Sequence, residues 1–409
     1  MTKVAVKRLG DISSFIRGIT FKPTDVVPAD TPSAVGCMRT KNVQTQLDIS
    51  DVWSVDSGFV RRAEQYLEEG DVLISSANSW NLVGKCCWIP KLESATSFGG
   101  FVTALRGDEN LVDRRYLYRW FASAGTQRTV RSFSRQTTNI SNLDLKRCAD
   151  LPVPLPSLVE QRRIAAVLDQ VDTLRAKRRE AITLLDDLAQ SIFLGMFGDP
   201  VRNEKSWPVG KVADLVASFE SGKSLAQGQD EGAKFRVLKV SAVTSGIFRP
   251  LESKPLPVAY EVPYGHLVRQ GDLLFSRANT EELIGAVSLV EGHHENLALS
   301  DKLWRFVWHD SVDSHPLYVR HLFRQGEFRR QVRERSSGTS GSMKNISQAN
   351  VLGIACGIPP IELRKEFSDR MQGVARLQTS HRLHLAALDE LFESLQQRAF
   401  SGQLSTLGS

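Results

Sequence analysis

VEQRRIAAVLDQVDTLRAKRREAITLLDDLAQSIFLGMFGDP, Val159 to Pro200, is a helix-forming stretch placed midway along a chain of 409 residues. At the ordinary rise it makes a helix of about 60 Å, well beyond the three or four turns usual in a globular domain. Ile164, Val167, Val171, Leu174, Arg178, Ala181, Leu185, Leu188 and Ile192 follow one another at steps of three and four, which makes a seam for a second helix. Ser157 followed by Glu160 has the form of a capping box at the start, and Gly198 followed by Pro200 marks the exit.

The same chain supplies a second such helix. From Ile361 the sequence runs IELRKEFSDRMQGVARLQTSHRLHLAALDELFESLQQRAFSG, with Met371, Val374, Gln378, His381, Leu385, Leu388, Phe392, Leu395 and Ala399 on the matching stripe. Pro360 can open it without losing a needed hydrogen bond, and Gly402 marks its exit. The duplication is general. GDVLISSANSWNLVGKCCWI at 70–89 answers GDLLFSRANTEELIGAVSLV at 271–290, an offset of 201 residues. TTNISNLDLKRCADLPVPLP at 137–156 answers MKNISQANVLGIACGIPP at 343–360, and Leu185-Asp186-Asp187-Leu188 answers Leu388-Asp389-Glu390-Leu391.

Each copy therefore reads as a mixed head, a Pro-bearing hinge and a long helix. Short apolar runs bounded by Gly, Pro and Asn at 71–75, 84–89, 235–240, 273–275 and 304–308 make the heads β-rich. The expected fold is α+β: heads at 1–155 and 200–358, helices at 156–199 and 359–404, and a pseudo-twofold repeat in which the helices pack as an antiparallel coiled coil. Parallel packing would need a crossover as long as the helix, so antiparallel packing is the simpler solution, with a head at each end of a rod. The expected seam comprises Val171, Arg178, Leu185, Leu188, Ile192, Val374, His381, Leu385, Leu388 and Leu395. Arg178 and His381 are equivalent, and antiparallel packing would bring them together as a polar notch fixing register. The alternative is that Arg178 snorkels out of a curved seam.

Composition narrows the function classes. Apolar content of 41% and charged content of 24% are those of a globular protein. Without an apolar run of membrane length or a secretory leader in MTKVAVKRLGDISSF, a cytoplasmic location is expected. Cys37, Cys86, Cys87, Cys148 and Cys356 lack metal-site spacing and read as free thiols. A net charge of +6 permits a polyanionic partner without demanding one.

Catalytic signatures are missing. GxxxxGK[ST] and GxGxxG loops do not occur, nor does the Asn/Asp-Pro-Pro-Tyr/Phe run of amino-methyltransferases. The adjacent His293 and His294 lack a second ligand pair, and Glu252-Ser253-Lys254 meets the minimal nuclease shape without a companion carboxylate. No cofactor or metal is expected on this chain.

The heads carry a different polar inventory. The first offers Arg39, Lys41, Asn42, Gln44 and Gln46, the turn at Asn78, and Arg128, Arg131, Arg135 and Gln136. The second offers Lys223, Arg236, Arg277 and Asn279, then Arg329, Arg330, Arg333 and Arg335 leading through a Ser/Gly run to Lys344. Arg, Asn and Gln make bidentate contacts to base edges, and basic residues in polar loops suit phosphates. Double-stranded DNA is the expected ligand, read as two half-sites.

The hinge ISNLDLKRCADLPVPLPSLVEQRRIAAVLDQVD, the two Gly-Asp-x-Leu-Ile/Phe-Ser segments and the doubled order together resemble the specificity (S) subunit of type I restriction-modification systems. That resemblance implies two target recognition domains and two methyltransferase (M) subunits docked on the helices. It also implies adenine methylation with S-adenosylmethionine on the M partner, and cleavage with ATP and Mg on restriction (R) partners. Glu160, Gln161 and Arg162 would be partner-facing or helix-start residues. The second copy departs here, with Glu362, Leu363 and Arg364 in place of the Glu-Gln-Arg core. Two other readings compete: an enzyme, either a nuclease or a fused methyltransferase, and a duplicated protein-binding scaffold.

Overall fold

A computed structural model describes residues 4–136, 140–224, 227–229, 231–309, 315–338 and 343–401. Thr137 to Asn139 of the first hinge, Thr339 to Ser342 of the Ser/Gly run, the Gly402 exit and the side chain of Gln136 lie outside the description. The chain forms two compact units, residues 1–179 with 383–409 and residues 180–382. Six helices of eight residues or more occur among the described residues: α1 (Arg114–Phe121), α2 (Ala124–Ser132), α3 (Leu158–Phe197), α4 (Pro316–Arg324), α5 (Gly326–Glu334) and α6 (Ile361–Phe400). The two long helices, α3 and α6, contribute one half to each unit.

The repeat holds strand by strand. In the first unit a four-stranded antiparallel sheet runs Ser13–Arg17, Val102–Gly107, Val72–Ser75, Cys86–Trp88, and in the second Ser218–Ser221, Leu303–Val307, Leu273–Ser276, Val287–Leu289. A second sheet places Ala34–Met38 between Trp53–Asp56, antiparallel, and Thr96–Phe98, parallel. Arg236–Leu238 lies likewise between Ser253–Pro255 and Leu297–Ala298. Each hinge strand returns to the start of its own head: Pro152–Leu155 pairs with Ala5–Arg8, and Ala355–Gly357 with Val209–Lys211. The Gly84 and Gly285 turns have φ of +80° and +78°, and a Cβ there would lie 3.0 and 2.6 Å from Val130 and Val332 respectively. A side chain is excluded at both positions by backbone conformation and by space.

Within each unit the helix halves run antiparallel against the head. In the first, Ile164, Leu168 and Val171 of α3 join Leu388, Phe392, Leu395 and Ala399 of α6 around Leu9, Tyr116 and Phe121. In the second, Leu185, Ala189, Ile192, Phe193 and Phe197 join Phe367, Met371 and Val374 around Tyr318 and Phe323. One polar contact recurs as well. Arg175 donates to Asp389 at 2.6 Å in the first unit, and Gln378 to Asp186 at 3.1 Å in the second. Leu385 is half-buried, and Leu188 is 47% exposed because the inward stripe passes through Ala189 beside it. Arg178 belongs to the first unit and His381 to the second.

The helix ends follow local chemistry. Ser157 Oγ accepts from the Glu160 amide at 3.3 Å, while the Glu160 carboxylate pairs with Arg163 rather than closing the box. Gly198, at φ +70°, donates to the Leu194 carbonyl and ends α3.

His321 sits inside the second core, stacked 6.3 Å from Phe193, and burial with the nearby Arg320 and Arg324 pushes its pKa down to about 3. The unfolded ring takes a proton near 6.5, the folded one near 3, so the associated stability is complete above 6.5 and erodes as pH falls from there. Between about pH 7 and about pH 5 the wild type is expected to lose roughly 2 kcal/mol more than a His321→Leu variant. Urea titrations at the two pH values check this, and parallel losses would remove His321 as the cause.

Candidate nucleic-acid interface

In the first head the turn at Thr40–Asn42 is built by its own polar groups. Asn42 is 1% exposed; its amide donates to the carbonyls of Asp48 and Asp51, and its Oδ1 accepts from the Arg39 amide. Its side chain is thereby committed to the loop. Arg39 lies with its guanidinium 3.8 Å from the Trp53 ring centroid, and Lys41 pairs with Asp51 at 2.6 Å. Hydrogen bonds from Lys41 and Arg39 hold the Asp51 carboxyl below its usual range. Gln44 is exposed and accepts from Lys85 at 2.5 Å; Gln46 is exposed as well.

Asn78 and Asn279 have the same surroundings. Each donates to the serine three residues back, Ser75 at 3.0 Å and Ser276 at 3.2 Å, and each accepts the next backbone amide. Asn78 stands on a short sheet in which Ser141–Leu143 lies between Ala77–Asn78 and Ser134–Gln136, so that Arg135 is two strands away, in register with Ala77. Arg135 is 84% exposed and reaches Asp144 at 3.1 Å. In the second head Asn279 pairs directly with Lys344. The repeat thus assembles, in each head, an asparagine and a basic residue on one small sheet.

The arginine clusters divide by what they touch. On α2, Arg128 is exposed, and Arg131 Nε has no hydrogen-bond partner among the described residues. On α5, Arg330 pairs with Glu327 and Glu334, while Arg329 donates to the carbonyls of Glu282 and Ile284. Burial and the charge of Arg333 lower the pKa of Arg329. Arg333 is half-buried, and Arg335 donates to the Gln331 carbonyl at 3.3 Å. Arg236 is tied to Ser253 and Arg277 to the Asp301 carbonyl, whereas Lys223 is exposed.

At the helix start the three residues separate. Gln161 is 1% exposed; its Oε1 accepts from the Asp113 amide and its Nε2 donates to the Pro156 carbonyl. Arg364 does the equivalent at the second hinge, donating to the Pro359 carbonyl at 3.2 Å. Arg162 is 67% exposed in its side chain, and its neighbour Val159 is 75% exposed.

A groove of about 860 Å³ lies within the first unit, between head and helices. Gln44, Lys85, Gln127, Arg115, Arg175 and Arg179 line it together with Asp169 and Asp172. Lys85 and Gln127 carry no local signal in the sequence, because the repeat places Ala286 opposite Lys85 and leaves no basic pattern there.

Among the described residues no cluster of His, Cys, Asp and Glu could hold a metal ion, and no helix is long and apolar enough to cross a membrane. His293 pairs with Glu295, and Glu252 accepts from the Ser241 hydroxyl. The cysteines are free, and burial pushes the Cys37, Cys87, Cys148 and Cys356 thiols up to about 12.

A family model described as the type I restriction modification DNA specificity domain matches residues 1–184. The specificity subunit of the type I restriction enzyme EcoKI from Escherichia coli (strain K12) is 25% identical, over 96% of this chain and 88% of that protein. That of StySPI from Salmonella potsdam is 22% identical, over 98% of this chain and 89% of that protein. The solved S subunit of a type I restriction-modification system from M. genitalium shares the fold with a TM-score of 0.59 at 12% identity, covering 98% of this chain and 97% of that one.

Proposed function

We infer, for a chain that belongs to the specificity-subunit family of type I restriction-modification systems, that each of its heads reads one half of a bipartite DNA target. The chain is the sequence-specific DNA-binding subunit of such a system and the scaffold for its methyltransferase and restriction subunits; it is not itself catalytic. The observation that carries the bipartite reading is the doubled head, with Asn78 and Asn279 held by matching serine contacts, each on a small sheet of its own head.

The division of labour follows from the contacts available. Asn78, Arg128, Arg131 and Arg135 in the first head, and Lys223, Asn279, Arg333 and Lys344 in the second, are the side chains proposed to meet bases and phosphates. Amides and guanidinium groups discriminate base edges, while lysines supply phosphate affinity. Asn42, Arg236, Arg277 and Arg329 support these loops through the hydrogen bonds described above. Two methyltransferase subunits are proposed to dock on the long helices, with Glu160, Arg162 and the exposed Val159 at one such surface. S-adenosylmethionine belongs to them, and ATP with Mg to restriction subunits. The head's part in methylation is to hold and distort the groove while the partner takes the target adenine out of the stack.

Mapping methylated adenines in cells that carry this chain, its methyltransferase partner, both or neither tests the reading. A bipartite motif is expected only when both are present. A single uninterrupted motif, or the same motif without this chain, would end it.

A further inference from the structure

The first head holds a cleft of about 500 Å³ bounded by Ile19 to Phe21, Arg39 to Lys41, Trp53 and the turn at Gly99 to Phe101. Phe21 and Trp53 meet edge to face with centroids 6.3 Å apart, and Arg39 covers the Trp53 ring. Phe101 stands at the rim, 64% exposed. The volume is within the range that receives a small flat ligand. A cation stacked on an indole beside an open phenyl ring suits a π-face rather than an aliphatic chain.

Strand register identifies the same face on the second head. Ile19 bridges to Gly99 as Lys223 bridges to Ser300. Cys37 pairs with Trp53 as Val237 pairs with Lys254. The Phe101 carbonyl accepts from the Ser76 amide as the Lys302 carbonyl accepts from Arg277, and Arg39 leaves its strand as Lys239 leaves the equivalent one. Ile19, Arg39, Trp53 and Phe101 are therefore matched by Lys223, Lys239, Lys254 and Lys302. Three of these four positions are apolar or aromatic in the first head, where the second carries four lysines.

We propose that this face meets DNA in both heads: in the first its cleft takes one nucleobase displaced from its stack, against Phe101 and the Arg39–Trp53 pair, and in the second its lysines hold phosphates. The inference rests on the reading of the chain as a DNA-recognition subunit. It assigns Trp53 and Phe101 to stacking on the displaced base and Lys239, Lys254 and Lys302 to phosphates, since stacking needs an open ring and phosphate binding needs only charge.

The test uses the full chain assembled with its methyltransferase partner. The probe is a duplex carrying the mapped motif, with 2-aminopurine at each adenine position in turn; this base brightens when it or its neighbour loses its stack. At positions other than the methylated adenines and their immediate neighbours, which the methyltransferase partner itself unstacks, brightening on binding is expected in one half-site. Phe101→Ala should abolish it and weaken binding about tenfold to a hundredfold with the salt dependence unchanged, while Phe101→Trp retains both. Lys239→Ala combined with Lys302→Ala should instead reduce the slope of log affinity against log salt by about two. Unchanged brightening and affinity in Phe101→Ala would overturn the proposal, as would loss of the methyltransferase partner with DNA binding intact. Failure of the broader DNA reading looks different: the unmodified complex would bind a scrambled duplex as tightly as the motif.

Discussion

Phe193→Ala is expected to destabilise the second unit by roughly 3–5 kcal/mol, the range for deleting a fully buried phenyl ring. The ring is 0% exposed and lies 5.0 Å from Phe197, 5.7 Å from Tyr318 and 5.5 Å from Phe367. Those neighbours come from α3 itself, from the head and from α6, so no single element can move in to fill the space. Phe197 is further fixed by the indole of Trp207, which donates to its carbonyl at 2.9 Å. Hydrogen exchange should show the loss in α4 and the first half of α6, while Ile164 to Val171 keep their protection. A loss spread equally over both units, or one below about 1 kcal/mol, would show that the helix is not anchored to the head at this ring.

Replacing Asp169 and Asp172 together with alanine is expected to cost the first unit roughly 3 kcal/mol, by leaving Arg119 buried without a counter-charge. Arg119 has a side chain 7% exposed, with Nη2 2.6 Å from Asp169 and Nη1 2.9 Å from Asp172. Burial alone would lower its pKa, but the two carboxylates outweigh this and hold it above the ordinary value. This loss is at the low end of the range for breaking buried pairs because the acids are 34% and 39% exposed. Adding Arg119→Leu should restore most of the loss, and urea titrations of the three proteins measure it. If the triple variant is no more stable than the double, packing rather than the orphaned charge is responsible.

The second unit already contains the compensated version of that experiment. By the repeat, the places of Asp169 and Asp172 are taken by Gln372 and Ala375, and that of Arg119 by His321. Where both acids are missing the strong base is missing too, and the histidine in its place is held neutral by burial. At this position the charge thus goes with its partners, whereas the adjacent Arg320 is 7% exposed and donates to the Gly246 carbonyl, and burial lowers its pKa to about 10.

Local signals in the sequence were sufficient for the duplication, for the two long helices and for the ends of the first, because apolar period, a serine cap and a left-handed glycine act over a few residues. They were also sufficient for the equivalence of Asn78 and Asn279, which follows from the aligned Gly-Asp segments. What the tertiary structure alone decided is which polar groups remain available. Gln161 and Asn42 look like surface residues in the sequence and are consumed by backbone groups, one of them 48 residues away at Asp113. Leu188 yields its inward place to Ala189 for a similar reason, since the head selects the buried stripe. Strand register likewise puts Lys254 and Lys302 of one head at the positions that Trp53 and Phe101 take in the other. Burial and pairing depend on contacts between distant segments, and no local pattern encodes them.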